Sequence, residues 1–71
     1  MKDLTPTPGP ELAAHRRVAG IDQEDLAARL GIHRVTLSGW ERSASVDVIR
    51  AARYERALLE LVAEAVQEVP A

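Results

Sequence analysis

Apolar residues in the middle of the chain recur three and four apart in two short runs divided by a glycine, a pattern that predicts two short helices meeting across a sharp turn. In the first run Leu26 and Leu30 share a face. Ala27 lies beside them, where steeply crossed helices leave room for only a small side chain. Asp22 supplies an N-terminal cap, with Asp25 three residues on as a weak capping-box partner, so the helix is expected to start near Gln23. Gly31 comes after the last apolar residue and can take the left-handed conformation that turns the chain, after which Ile32 returns to the core. In the second run Leu37 and Trp40, three apart, form the inner side and leave His33, Arg34, Val35, Ser38 and Gly39 outside.

The flanks extend this pattern. Pro10 suits the first position of a helix running from about Glu11 to Ala19 and stopping at Gly20. Residues 1–10, with three prolines and Gly9, predict an extended, flexible arm. After the second short helix, Ser43-Ala44-Ser45 forms a connection in which Ser45 can cap the next helix, and residues 46–69 contain no Gly or Pro to interrupt one long helix or two abutting ones. That segment carries two apolar stripes. Val48, Ala52, Leu59, Val62, Val66 and Val69 form one, interrupted at Glu55, and Tyr54, Leu58, Leu61 and Ala65 the other. One stripe is expected to pack on the preceding helices and the other on a second subunit, with Leu58, Leu59, Leu61, Val62 and Val66 as interface candidates. The predicted class is all-α: a small bundle of four or five helices divided into an arm (1–10), a core (11–45) and a C-terminal helical segment for packing and dimerisation (46–71).

Gln23, Ala27, Gly31, Ile32, Leu37 and Trp40 at these spacings resemble the motif of the Cro/CI repressor (XRE-type) helix-turn-helix family, and the resemblance extends to Arg16, Gly20-Ile21 and Glu41-Arg42. It implies a small regulator that places the second motif helix, about Arg34 to Arg42, in the major groove of double-stranded DNA as a homodimer on a palindromic operator. His33, Arg34, Val35 and Ser38 would then meet base edges. Arg34 suits a bidentate contact to guanine and Val35 a thymine methyl. Gln23, Thr36, Arg42 and Arg50 would hold phosphates, Gln23 from a helix N-terminus. Three positions depart from the family's habit: His33 stands where a Ser or Thr usually caps the helix, His15 where an apolar residue is common, and Gly39 where a long polar side chain often reads a base.

Composition narrows the alternatives. A chain of 71 residues supports one small core, and with one Trp, one Tyr and no Phe that core must be built from aliphatic residues and alanines. The formal net charge of -2 is unusual for a DNA binder, but its distribution is uneven. Between Arg29 and Arg56 six arginines stand against Glu41, Asp47 and Glu55, whereas beyond Arg56 the charged residues are Glu60, Glu64 and Glu68 alone.

No catalytic or metal-binding constellation is present in the pattern. The chain lacks cysteine, His15 and His33 lie on different predicted helices, and Ser38, Ser43 and Ser45 lack a nucleophile elbow. No enzyme activity, cofactor or metal is therefore expected, and a cytoplasmic location without a membrane span is. Two other uses of the scaffold fit the pattern: a DNA-binding antitoxin with a toxin as protein partner, and a protein-interaction module. Small size and the family resemblance also fit an autoregulator from a phage or other mobile element.

Overall fold

A computed structural model describes residues 5–67, which form four helices: α1 (Gly9–Val18), α2 (Gln23–Leu30), α3 (Arg34–Arg42) and α4 (Val48–Gln67). Residues 1–4 of the expected arm and Val69 of the expected stripe lie outside this range. α1 packs against α3 and α4, and α2 packs against the same two helices. Leu12, Leu26, Ala27, Leu37, Val46, Ala51, Tyr54, Ala57 and Leu58 form the shared core, with Ile21, Leu30, Ile32, Trp40 and Leu61 half-buried around it. The first half of α4 thus belongs to the same packed unit as the short helices.

Local chemistry accounts for the turn between α2 and α3. The Asp22 carboxylate accepts the Asp25 N–H at 2.9 Å and starts α2. Gly31 ends it at φ 71°, with its N–H on the Ala28 carbonyl and the Ile32 N–H on the Ala27 carbonyl, a Schellman closure.

Two boundaries differ from the sequence expectation for a shared reason. Helix α1 begins at Gly9 rather than Glu11, and the segment before it is tied down at Thr7, which exchanges both backbone hydrogen bonds with Val46 at 3.0 and 2.8 Å. The Gly9 N–H also donates to the Ser43 carbonyl at 2.8 Å. A Cβ on Gly9 would stand 2.1 Å from the Trp40 carbonyl oxygen, so only glycine permits this approach. Because Val46 is buried and paired in extended conformation, α4 starts two residues later than Val46. Its cap is Asp47, whose carboxylate accepts the Arg50 N–H at 2.8 Å; Ser45 instead closes a local turn with the Ser43 hydroxyl.

The two stripes of α4 separate as the periodicity requires. Tyr54, Leu58 and Leu61 face the monomer's own core, and Ala51 and Ala57, which belong to neither stripe, join them. Leu58 is therefore removed from the expected subunit interface, and Leu61 is half-covered by its own chain. Leu59 and Val66 lie outside, 67% and 65% exposed, with Ala52 exposed beside them and Val62 half-buried.

Candidate nucleic-acid interface

Helix α3 is fixed by its ends and its inner face, which leaves its outer face unencumbered. At the start His33 sits in extended conformation, and its Nδ1 accepts the Val35 N–H at 3.1 Å, the role a Ser or Thr hydroxyl plays at an ordinary cap. Leu37 anchors the middle and Trp40 lies half-buried on the same side. The Arg50 guanidinium stands 5.9 Å from the Trp40 ring centroid, a cation–π contact between the end of α3 and the first turn of α4.

The strongest tether is Glu41, a carboxylate on α3 only 5% exposed. It accepts Arg16 Nε at 2.7 Å and Nη2 at 3.1 Å, Gln23 Nε2 at 2.9 Å and the Tyr54 hydroxyl at 2.5 Å. Arg16 also donates through Nη1 to the Ile21 carbonyl at 2.9 Å. The Tyr54 oxygen lies 3.1 Å from the Leu12 carbonyl as well, but its single proton goes to the carboxylate, the stronger acceptor. Burial pushes the Glu41 carboxyl up, and the bonds from Arg16, Tyr54 and Gln23 together outweigh it, holding the group below its ordinary value. Burial, then Glu41, pushes the Tyr54 hydroxyl up; the bond to Glu41 does the same to Arg16. One carboxylate thus joins α3 to α1, to the start of α2 and to α4, with no buried side-chain N or O left unpartnered among the described residues.

Outside, His33, Arg34, Val35 and Gly39, four of the five outer positions expected of the motif, are exposed, the fifth, Ser38, is half-buried, and Thr36 is exposed as well. The arginines divide by what they touch. Arg29 pairs with Glu64 and Glu60, Arg56 with Glu60, and Arg50 with Asp47, so much of the positive charge from Arg29 onward is matched within the fold. Among the described residues Arg17, Arg34 and Arg42 make no ion pair or side-chain hydrogen bond. All three border the motif. Arg17 and Arg42 line one shallow depression with Gln23 and Ser38, and Arg34 lines another with Gln23 and Asp22.

Two expected phosphate ligands consequently have other partners: Gln23 bonds Glu41, and Arg50 is held by Asp47 and Trp40. Arg17, exposed and unpaired beside Arg42, was not among the candidates read from the sequence. Its signal was present in the Arg16-Arg17 pair, where adjacent helix positions must face about 100° apart, one inward and one out. The buried network was also unforeseen, although Arg16 and Glu41 both belonged to the matched motif.

No group of His, Cys, Asp and Glu with metal-holding geometry occurs among the described residues, and no helix there is long and apolar enough to cross a membrane. A helix-turn-helix family matches residues 12–58, from the first core leucine of α1 to the last core leucine of α4. Comparison with curated proteins and with solved structures gave no match. With the match running through all four helices, and with a capped, tethered second motif helix whose outer face is free, the chain belongs to the Cro/CI-like (XRE-type) helix-turn-helix family of DNA-binding transcriptional regulators.

Proposed function

We propose that the chain is a sequence-specific repressor that binds a palindromic operator as a homodimer, with α3 in the major groove. The observation that carries this reading is the placement of the three unpaired arginines, Arg17, Arg34 and Arg42, around the exposed face of α3 and the start of α2. Arginines left unpaired by the fold are available to the phosphate backbone, which supplies most of the non-specific affinity. Arg34 extends from the first turn of α3 and takes a guanine edge, Val35 a thymine methyl, with His33 and Ser38 as nearer contacts. Arg42 and Thr36 take phosphates, joined by Arg17. Gln23 has a second N–H on the same amide nitrogen that bonds Glu41, and this proton serves a phosphate without breaking the network. Arg50 bonds Asp47 through Nη1 and keeps Nε and Nη2 for a phosphate. Leu59, Val62 and Val66 form the subunit contact.

Footprinting on the promoter of the chain's own transcription unit tests the reading, and a protected pair of half-sites is expected. Arg34→Ala should then cost roughly 1–3 kcal/mol on that site and much less on random DNA. Equal losses on both would assign Arg34 to phosphate; no protected site and no salt-dependent binding would overturn the proposal.

A further inference from the structure

We infer that His33, in capping α3, is locked as a hydrogen-bond donor toward the DNA and selects a purine N7 at one operator position. The inference rests on the reading that α3 enters the major groove. A neutral imidazole carries one N–H and one bare nitrogen. Here the bare nitrogen is defined by the fold, because Nδ1 accepts the Val35 N–H at 3.1 Å. The proton is then on Nε2, which has no protein partner among the described residues and belongs to an exposed side chain beside Arg34. A Ser or Thr cap offers a short hydroxyl that donates or accepts. The histidine cap offers a longer reach and a donor only.

Such a donor discriminates between groove edges. The exocyclic amines of adenine and cytosine would meet it donor to donor, and the thymine O4 is flanked by the C5-methyl, which blocks a flat ring. Purine N7 is an open acceptor, and in guanine O6 stands beside it as a second. His15 provides an internal contrast. Its Nδ1 lies 2.8 Å from a Glu55 carboxylate oxygen and must donate, so the two histidines of this chain carry their protons in opposite senses on Nδ1.

Long-range proton–nitrogen NMR on the free protein reads this directly. A protonated Nε2 with a bare Nδ1 is expected at His33, and a protonated Nδ1 at His15; a proton mainly on His33 Nδ1 would overturn the inference. His33→Ser keeps a cap and takes away the long-reaching Nε2–H, leaving a hydroxyl too short to meet the base, so its melting temperature should stay near that of the wild type, while selection from a randomised operator library loses preference for purine at one position by roughly threefold to tenfold. Placing 7-deazapurine there should weaken the wild type by a similar factor and leave the Ser variant unchanged. If a neutral methylphosphonate at the adjoining phosphate removes the wild-type advantage and the 7-deazapurine does not, the contact is to the backbone and the base assignment fails. A wild type that binds no DNA would overturn the groove reading as a whole, whereas the tautomer measured in the free protein would stand or fall on its own.

Discussion

Arg16 of α1 and Glu41 of α3 meet as a two-pronged pair at 2.7 and 3.1 Å, with side chains 10% and 4% exposed. Removing one partner strands the other in the core. Arg16→Met alone should cost about 3–5 kcal/mol, comparable with the whole stability of so small a domain. Arg16→Met combined with Glu41→Leu should regain part of that loss, because no buried charge is left unpaired. Urea unfolding of the single and double variants decides it; a single variant within about 1 kcal/mol of wild type would show that the pair is not what orients α3.

The pH dependence has two limbs of opposite sign. Glu41 is held below its ordinary value, so its contribution is present above the unfolded carboxylate pKa and is lost as pH falls through the folded one. His15 is raised above 6.5 by its bond to Glu55, so its smaller, solvent-screened contribution is present below that value and is lost as pH rises through the folded pKa. His15→Gln should flatten the decline that sets in as pH rises above about 6.5 and leave the acid limb intact. An acid limb that moved with His15→Gln would contradict the assignment.

Charge on the outer stripe of α4 should separate subunits without unfolding them. Leu59→Lys with Val66→Lys is expected to give a folded monomer, whereas Leu58→Lys with Leu61→Lys should abolish the helical signal, since Leu58 is a core residue. The monomer should bind a two-half-site operator weakly, because engagement of the second half-site is no longer intramolecular. Light scattering beside circular dichroism distinguishes the outcomes. A wild type that is monomeric at high micromolar concentration, with full affinity for a single half-site, would end the dimer proposal.

Gly39 lies in the interior of α3, and a Cβ there meets nothing within 4 Å. Gly39→Ala should therefore stabilise the domain by about 1 kcal/mol and raise the melting temperature by roughly 4–8 °C. Gly9→Ala should do the reverse, since its Cβ would collide with the Trp40 carbonyl. An unchanged or lower melting point for Gly39→Ala would show that the backbone at Gly39 is not ordinary helix in solution.

What was legible in the sequence was local. Asp22, Gly31, Leu26, Ala27 and Leu37 act within one helix or one turn, and each stands where its propensity places it. Expectation and structure part where distant segments meet. Ser45 and Asp47 are both competent caps, and the pairing of Val46 with Thr7 decides for Asp47. Leu58 and Leu59 are neighbours in the chain but about 100° apart on the helix, so grouping both as interface could not survive packing. In the recognition region, exposure of Arg34 and Val35 came from the helical period, whereas Gln23's bond to Glu41 and the freedom of Arg17 depend on tertiary neighbours that periodicity does not encode.

The Thr7–Val46 bridge sets a timetable as well as a boundary. Among residues 7–67, apart from it and the neighbouring Gly9–Ser43 bond, the backbone hydrogen bonds outside the helices join residues at most five apart and can form as each turn forms. Those between the segment leading into α1 and the α3–α4 connection must wait until the chain between them has been gathered in, at the loop-closure cost of that whole interval. The amides of Thr7 and Val46 are thus clocks for the last closure of the domain. In native-state hydrogen exchange they should open together, before the helical amides around Leu26 and Leu37, and mark a partly open form in which α4 has come loose at its start while the two motif helices remain folded.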